Sequence, residues 1–564
     1  MQIPWAAQAE YAKYTVYFGI VVISCCLFKH LYYRIRDLTY KSMGPKSTTN
    51  PICSVIDVAM AYGRYIGYKQ TPWVSTQVLS LPNSVGATLF MSVSSLYLLC
   101  YCFVPHFWYR PCSEFGSPPL AVRAGVMSTA LFPFIYVLAG KSNAITLLTG
   151  TSYEKLNLYH QYVGCASFVL AIVHTIPFLY QSLQEGGATL LHHYFTTSIY
   201  YISGIPCIIL LGLLCVLSKA WVRKHFYEVF VHLHWMMGVA FFGVLIWHIN
   251  QNMGAQNYMW GALAFWATQI IYRLLTKTCF KPNAMFLRSR KAHLEKLGNG
   301  VYQIKIENVA DYKWSPGQHC FLRFQGWRIL DSHPFSIAST CDSDGGSSMK
   351  FIVIPQKGLT KVQYLELNRQ IEINKKVYID GPYGGTFRDP TKFDKIVLIA
   401  SGSGVSATLP FLIYMSQQEK SGKSVNLKCI NFIWIVRKIE DTNWIREELN
   451  QCQAILGSKL QMEILVCHRT NMIEDNDDSE KSIESKSSDI VACNVTFEKP
   501  NVSEVLKSLT SSFARRNLIV SSGSISMKRQ VSSTVSQLQE LIFNNDLKNT
   551  NVEEIYLHTE SFGW

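Results

Sequence analysis

Four histidines lie at matching intervals in two apolar stretches of the chain. His160 and His174 are 14 residues apart in the first stretch, and His234 and His248 are 14 residues apart in the second. On an α-helix this interval is just under four turns, so the two rings of a pair share one face, roughly 21 Å apart along the axis. Two such helices side by side would suit two haems that each take two imidazole ligands. The alternative is that the rings only form hydrogen bonds between buried helices.

The second apolar stretch contains a competing histidine. His232 is 16 residues from His248, so on one helix these two side chains point to nearly opposite faces. The 14-residue interval therefore selects His234 as the partner. A polar side chain in hydrocarbon is costly and is usually functional, whereas His225 belongs to a basic cluster before the helix, which indicates an interfacial position.

The composition is that of a membrane protein joined to a soluble one. Hydrophobic residues make up 49% of the 564 residues, and they are concentrated in the first half of the chain. The net charge of +14 does not indicate nucleic-acid binding, because the Lys and Arg clusters flank the apolar stretches. The 16 cysteines are scattered without a CxxC motif, which indicates neither a disulfide scaffold nor a zinc site.

Seven apolar stretches are predicted to be transmembrane helices. They lie near residues 14–28, 86–105, 120–139, 156–180, 196–217, 227–249 and 258–275. Lys and Arg follow the odd-numbered stretches and are rare in the alternate loops. The positive-inside rule therefore predicts an outer N-terminus and a cytosolic C-terminal half, with His160 and His234 on the cytosolic side of the membrane. The first stretch has neither the basic n-region nor the cleavage site of a signal peptide, so a cleaved signal peptide is not expected.

The second half of the chain is predicted to form two soluble domains. Between residues 282 and 385, runs such as VYQIKIE and KFIVIP alternate with Gly and Pro turns, which predicts a small antiparallel β-barrel. From residue 395 onwards, a strand–turn–helix pattern predicts an α/β domain with a parallel sheet. Residues 470–490 are acidic and rich in Ser, which predicts a disordered surface insertion.

Two short motifs in the predicted barrel could contact a flavin nucleotide. In His333-Pro334-Phe335-Ser336, the aromatic ring could pack on a flavin ring while the serine hydroxyl reaches a ring nitrogen. In Lys357-Gly358-Leu359-Thr360, backbone N–H groups could contact a pyrophosphate. The alternative for each motif is an ordinary β-turn.

A glycine turn in the α/β domain lies where a dinucleotide would bind. The buried-strand run KIVLIA leads into a turn that contains Gly402, Ser403, Gly404 and Val405, and a helical pattern follows. Glycines allow the backbone to approach a ligand closely, and a helix N-terminus favours a phosphate group. This context predicts a dinucleotide site.

Three further features of the α/β domain bear on that site. Arg437 follows the second predicted strand, where an arginine accommodates a 2′-phosphate and therefore favours NADPH; the alternative is a solvated strand end. Ser522 and Gly523 repeat the pattern of a strand followed by a glycine turn. Trp564 could cover the flavin where nicotinamide must arrive, or it could be an anchor in the core.

Taken together, these residues resemble those of the fungal ferric reductase family, which is related to the superoxide-forming NADPH oxidases. The resemblance runs from about residue 85 to the C-terminus. Its motifs, in order, are VRAGVMSTALFPFIYVLAG, LTGTSYEKLNLYHQYVG, the two histidine pairs, YEVFVHLH, HPFS, SGSG, WIVR and ESFGW.

The resemblance implies a multi-domain fold for a ferric-chelate reductase. The implied domains are an N-terminal span and cytosolic loop at 1–85, a transmembrane haem domain at 86–280, an FAD-binding barrel at 281–388 and an NADPH-binding α/β domain at 389–564. Electrons would pass from cytosolic NADPH through FAD and two b haems to ferric or cupric ion outside.

The resemblance also implies roles for individual residues. The ligands of the inner haem would be His160 and His234, and those of the outer haem would be His174 and His248. Arg123 matches the family's basic residue near a haem propionate; the alternative is an interfacial arginine whose head reaches water.

The chain departs from the family pattern at three places. Ser522-Gly523-Ser524 stands where the family often has Cys-Gly-Pro, and Ser401 stands where Gly is common. Many fungal members also carry a long extracellular region after a signal peptide, which this sequence does not show.

Two other functions stay open. One is a superoxide-producing oxidase, and the other is a low-activity family member that serves as a subunit in haem or iron uptake. His192, His193 and Tyr194 in an outer loop could collect metal, or could be merely solvated. The expected partners are extracellular ferric or cupric ions or chelates and metal-uptake proteins, with no nucleic acid. The expected location is the plasma membrane, with vacuolar and endoplasmic reticulum membranes as alternatives.

Overall fold

The computed structural model describes most of the chain as two compact units. Described residues are 6–40, 51–78, 81–105, 108–110, 116–275, 288–326, 331–341, 348–356, 358–423, 426–467, 493–497, 500–544 and 552–560. The first unit, here called the helical unit, contains the chain up to Tyr32 and residues Leu89–Thr276. The second, here called the sheet unit, takes Tyr33–Thr88 and Lys277–Gly563.

The described residues form helices in both units and strands in the sheet unit. The helices are α1 (Glu10–Thr39), α2 (Pro51–Tyr68), α3 (Trp73–Val78), α4 (Val85–Phe103), α5 (Pro119–Ala130), α6 (Phe132–Ala139), α7 (Ala144–Thr149), α8 (Tyr153–Thr197), α9 (Ile199–Leu217), α10 (Ala220–His225), α11 (Tyr227–Ile249), α12 (Gln256–Leu274), α13 (Leu359–Leu367), α14 (Val405–Lys420), α15 (Arg446–Leu456), α16 (Val502–Ser508), α17 (Ile525–Leu538) and α18 (Glu540–Phe543). The strands are β1 (Ser289–Gly298), β2 (Val301–Ile306), β3 (Gln318–Phe324), β4 (His333–Ser336), β5 (Met349–Val353), β6 (Glu372–Gly384), β7 (Lys395–Ser401), β8 (Cys429–Val436), β9 (Leu460–Val466), β10 (Cys493–Thr496), β11 (Arg516–Ser522) and β12 (Glu554–Glu560).

Among the described residues, six helical segments are long and apolar enough to cross a membrane. They are Ala7–Thr39, α4, Pro119–Ala139, α8, α9 and α11. Apolar side chains such as Val169 and Ile176 are exposed on α8, which is the pattern of a surface that faces lipid. Helix α12 lies where the seventh span was predicted, but it is not among these six, so the count of seven stays a prediction.

The first sheet of the sheet unit is antiparallel, with the strand order β4-β3-β6-β1-β2-β5. In β2, Ile304 and Ile306 are buried in the core while Lys305 between them is not, which is the period-two pattern of a strand with one buried face. The edge strands meet where the N–H of Ala338 donates to the carbonyl of Lys350 at 2.8 Å, so the sheet closes on itself. The predicted antiparallel barrel is confirmed.

The second sheet is parallel, with the order β10-β9-β8-β7-β11-β12. Ile396 and Leu398 of β7 pack into the core on one face, and Val397 and Ile399 pack into the core on the other. After β7, the chain adds β8, β9 and β10 on one side of β7 and then β11 and β12 on the other side. Open α/β sheets bind ligands at such a switch point. The predicted α/β domain is confirmed; residues 470–490 lie outside the described residues.

Residues 33–88 form part of the sheet unit, where the sequence predicted only a loop after the first span. Helix α2 packs against α17 and α18. The hydroxyl of Ser536 donates to the carbonyl of Tyr65 at 2.6 Å, and the ring of Tyr62 stacks on Phe543 with centres 4.1 Å apart. This N-terminal segment is therefore a structural component of the α/β domain.

Four buried charged residues pair with one another inside the sheet unit, and one of them, Asp37, lies near the end of α1. The carboxylate of Asp37 accepts two hydrogen bonds from Arg388, both at 2.7 Å, and a third from Arg516 at 2.5 Å. Glu554 accepts from Arg388 at 2.7 Å and from Arg516 at 2.9 Å. We call Asp37, Arg388, Arg516 and Glu554 the charge cluster. Arg516 and Glu554 begin β11 and β12, so the cluster lies at the edge of the sheet opposite the strands' carboxyl ends.

The charges of the cluster stabilise one another. Burial raises the pKa of the Glu554 carboxyl, but the positive charges of Arg388, Arg516 and Arg36 outweigh this effect and hold the pKa well below its usual range. Glu554 is therefore ionised at neutral pH although it is fully buried.

Candidate functional site

The structure brings the four predicted histidines together in two pairs. Helix α8 supplies His160 and His174, and α11 supplies His234 and His248. The ring centres of His160 and His234 are 6.2 Å apart with planes at 74°. Those of His174 and His248 are 6.1 Å apart with planes at 86°. Both pairs join one ring from each helix, as the equal sequence intervals predicted.

Backbone carbonyl groups orient the two histidines of α8. Nδ1 of His160 lies 2.9 Å from the carbonyl oxygen of Ile135, and Nδ1 of His174 lies 2.8 Å from that of Ala121. A carbonyl only accepts, so Nδ1 of each neutral ring carries the proton and Nε2 keeps its lone pair. A metal-binding histidine is usually held by its other nitrogen in this way.

Serine hydroxyls of α9 and its C-terminal end orient the two histidines of α11. Nδ1 of His248 lies 3.0 Å from the hydroxyl of Ser203, and Nδ1 of His234 lies 3.1 Å from that of Ser218. Neither serine was predicted from the sequence. Their signal was weak, because a serine in an apolar helix can equally bond to the carbonyl four residues earlier, as both also do here.

The two pairs fit haem groups by two measures. Two imidazoles that bind opposite sides of one metal through bonds of about 2.0–2.1 Å have ring centres roughly 6 Å apart, which matches both pairs. Gly164 and Gly238 each follow the inner histidine of their helix by four residues, and a Cβ added at either would meet nothing within 4 Å. Open space thus lies on the histidine face of both helices, where a porphyrin needs room.

Arg123 is buried and bonded within the helical unit. Its Nε donates to the carbonyl of Cys102 at 3.1 Å, and its Nη1 donates to Oε1 of Gln8 at 2.9 Å. The side chain has no exposed surface, so its head does not reach water as the alternative required. A contact with a haem propionate stays a prediction.

The HPFS motif forms strand β4 of the barrel. Phe335 is buried in the barrel core, where its ring centre lies 6.3 Å from that of Phe351. The alternation of a strand places Pro334 and Ser336 on the other side. The hydroxyl of Ser336 could therefore contact a flavin in this fold. The ring of Phe335 already packs in the barrel core, so it would have to contact a flavin while keeping that packing. Both contacts, and that of His333, stay predictions.

The second barrel motif leads into a helix. Gly358 has φ +86° and directly precedes α13, so a left-handed backbone turns the chain into the helix. The hydroxyl of Thr360 accepts a hydrogen bond from the N–H of Gln356 at 2.8 Å, which fixes the turn. Lys357 and Trp564 lie outside the described residues.

Two strand-end turns meet at the switch point of the parallel sheet. Gly402, Ser403 and Gly404 form a single helical turn between β7 and α14. A Cβ added at Gly404 would lie 2.3 Å from the carbonyl oxygen of Ser522, so this glycine lets the two turns touch. The structure thus brings Gly402, Ser403, Gly404 and Val405 together with Ser522 and Gly523 at the carboxyl ends of β7 and β11.

The hydroxyl groups of Ser401 and Ser522 in these turns have different surroundings. The hydroxyl of Ser401 accepts a hydrogen bond from the N–H of Ser524 at 2.9 Å, a contact that glycine at position 401 could not make. The hydroxyl of Ser522 is buried and has no hydrogen-bond partner among the described residues. A polar group of a bound ligand would satisfy it.

Arg437 is exposed directly after β8, which is the neighbour of β7. The indole of Trp434 in β8 donates to the carbonyl of Gly402 at 3.0 Å, so β8 and the glycine turn are bonded to each other. Arg437 therefore lies at the sheet edge that carries the glycine turn.

Family models match all three parts of the chain. The ferric reductase like transmembrane component matches residues 124–245, the FAD-binding domain matches 286–387, and the ferric reductase NAD binding domain matches 393–557.

Two fungal proteins are similar to this chain over most of its length. Ferric/cupric reductase transmembrane component 7 of Saccharomyces cerevisiae is 36% identical, over 100% of this chain and 94% of that protein. The probable cell surface ferric reductase kap2 of Aspergillus oryzae is 30% identical, over 74% of this chain and 56% of that protein. A solved ferredoxin-NADP+ reductase from Plasmodium falciparum is 16% identical over 48% of this chain and 96% of that chain, with a TM-score of 0.32. Identity along the full length shows that this chain belongs to the ferric reductase family, as a multi-pass membrane oxidoreductase that acts on metal ions and carries FAD- and NAD-binding domains.

Proposed function

We propose that this protein moves electrons from cytosolic NADPH through FAD and two b-type haems to ferric or cupric ion on the opposite side of the membrane. The observation that carries the proposal is the pairing of four histidines between α8 and α11 at two levels. The matched relative is named a ferric/cupric reductase, which supports metal ions as acceptors. Uptake of iron or copper at the plasma membrane is the role this activity would serve.

The chain's own residues bind and orient the carriers. When bound, FAD would supply hydride acceptance and one-electron transfer, and the haem groups would supply one-electron transfer. The glycine turn at 402–404 and the N-terminus of α14 bind phosphate groups through backbone N–H groups. Gly358 and the N-terminus of α13 do the same for the flavin nucleotide. His160 and His234 hold one haem, and His174 and His248 hold the other, through Nε2.

A spectrum followed by a rate measurement tests this function. Membranes that contain the protein should show the split reduced-minus-oxidised bands of haem b, and NADPH should drive ferric reduction that superoxide dismutase does not diminish. Loss of the ferric signal with dismutase would favour the superoxide-producing oxidase. Normal haem bands without NADPH turnover would favour the subunit in haem or iron uptake.

Arg437 provides a test of the preference for NADPH. A guanidinium that binds a 2′-phosphate contributes a charge-assisted contact of about 1.5–3 kcal/mol. We expect Arg437→Ala to raise the KM for NADPH about tenfold or more and to leave the KM for NADH unchanged, because NADH lacks that phosphate.

The neighbouring exposed Lys438 is the matched control. Lys438→Ala should change the KM for NADPH no more than about twofold. An equal rise of both KM values in Arg437→Ala would instead show that the side chain supports the turn and does not read the phosphate.

A further inference from the structure

The histidine face of α8 continues past His174 to two more polar residues. Gln181 and Glu185 follow His174 by 7 and 11 residues, or about two and three turns, so all three share one face. At about 1.5 Å per residue, they lie roughly 10 Å and 16 Å further along the helix. In the predicted orientation, this is the outer end of α8.

Glu185 places a formal charge at a helix end, in a segment of the sequence that is otherwise uncharged. Between Lys155 and Lys219, it is the one Asp, Glu, Lys or Arg in the sequence. Its side chain is exposed, and the regular helix stops beside it because Gly186 and Gly187 leave the helical conformation. The carboxyl end of a helix carries partial negative charge, which adds to that of the carboxylate and favours a cation.

Gln181 supplies a buried carbonyl oxygen without a partner. Its side chain is only 8% exposed, and Nε2 donates to Oε1 of Glu185 at 2.7 Å. An ionised carboxylate only accepts, so the atom that faces it must be the nitrogen. Oε1 of Gln181 is then buried with no hydrogen-bond partner among the described residues. Leaving such an oxygen unsatisfied is costly, and a cation would satisfy it.

Hydroxyl groups and a row of rings complete the surroundings. The hydroxyl groups of Ser182 and Tyr201 are 2.8 Å apart. The ring centre of Phe178 lies 5.2 Å from that of His174 and 6.2 Å from that of Tyr201. Ring contacts therefore lead from the outer histidine pair to the hydroxyl groups of Tyr201 and Ser182.

We propose that Glu185 and Gln181 form the binding site for the metal-ion acceptor, ferric or cupric ion. Carboxylate and amide oxygens suit cations of high charge. This inference rests on the proposed function, which supplies the electron on the side of His174 and His248. The bound Fe3+ takes up one electron and becomes Fe2+, and Cu2+ becomes Cu+ in the same way, with no bond broken and no proton moved. The lower charge weakens the attraction to the carboxylate, so the product leaves.

Three variants of the full-length protein in membranes test the site. They are Glu185→Gln, Gln181→Leu and, as a control, Gln184→Leu, which removes the same amide from an exposed position on another face of the helix. Initial rates are measured with NADPH and increasing Cu2+, ferric citrate or the anion ferricyanide. We expect Glu185→Gln and Gln181→Leu to raise the KM for Cu2+ and ferric citrate about tenfold or more. Gln184→Leu and the KM for ferricyanide should stay within about twofold of the parent.

Two readouts separate this site from the electron path. NADPH-driven reduction of the haem bands without acceptor reports on the proposed function, and Cu2+ binding to purified protein without NADPH, measured by electron paramagnetic resonance, reports on the site. Cu2+ affinity about tenfold lower in Glu185→Gln supports the site even if haem reduction fails. Unchanged Cu2+ affinity overturns the site even if haem reduction is normal. A rise in the KM for ferricyanide equal to that for Cu2+ would also overturn it.

Discussion

His174→Ala or His248→Ala should remove the outer haem and lower ferric reduction by about 100-fold or more, while NADPH still reduces the flavin. Each variant takes one of two imidazoles from a pair whose ring centres are 6.1 Å apart. Removing a residue that only hydrogen-bonds to a metal ligand lowers metal affinity about 10–100-fold, so removing the ligand itself should lower the affinity further. Haem content from reduced-minus-oxidised spectra, flavin bleaching and ferric reduction are the measurements.

His232→Ala is the matched control for these variants. It removes the same side chain from the same helix, but position 232 does not share the face of His248. It should leave both haem bands and the rate of ferric reduction unchanged. Full haem content in His174→Ala and in His248→Ala would refute the assignment of these ligands.

Asp37→Ala should destabilise the sheet unit by about 3–5 kcal/mol, the usual cost of removing one partner from a buried ion pair. Asp37 accepts from both Arg388 and Arg516 in the charge cluster. Without it, Glu554 is the one carboxylate of the charge cluster left to face Arg388 and Arg516. Thermal unfolding of the full-length protein, followed by loss of bound flavin and by limited proteolysis, measures the effect.

An ion pair with an exposed carboxylate in the same unit provides the control. Asp311 lies 3.3 Å from Arg290; the two side chains are 40% and 13% exposed, so solvent reaches the carboxylate and weakens the pair. Asp311→Ala should change the free energy of unfolding by no more than about 0.5 kcal/mol. Equal shifts in the two variants would mean that the charge cluster does not hold the unit together.

The features that sequence analysis predicted correctly are local ones. The interval from His160 to His174 fixes which face of one helix both rings share, and the same holds for His234 and His248. Alternating burial in β2 and continuous burial in β7 follow from one or two covered faces, so the two sheets could be told apart. The glycine turn was found because it lies between a strand and a helix in the sequence itself.

The contacts that were not predicted from the sequence join partners far apart in the chain. The hydrogen bond from Ser524 to Ser401 joins residues 123 positions apart, and the bond from Arg516 to Asp37 joins residues 479 apart. No spacing rule reports such pairs. The stretch that contains Arg36 and Asp37 was interpreted as a charged flank of the first span, because basic residues at a membrane boundary and in a buried cluster look the same in sequence.

The residues of the charge cluster are synthesised at widely separated times, so the cluster can form only after the last of them. Asp37 leaves the ribosome early, whereas Glu554 belongs to the last strand of the sheet. At about 5–20 residues per second, translation needs roughly half a minute to two minutes to join them. During that interval, Arg388 and later Arg516 emerge without their full set of counter-ions. The nascent domain is therefore expected to depend on chaperones until its final strand is synthesised, and premature stop codons before β12 should yield degraded protein rather than a partly active enzyme.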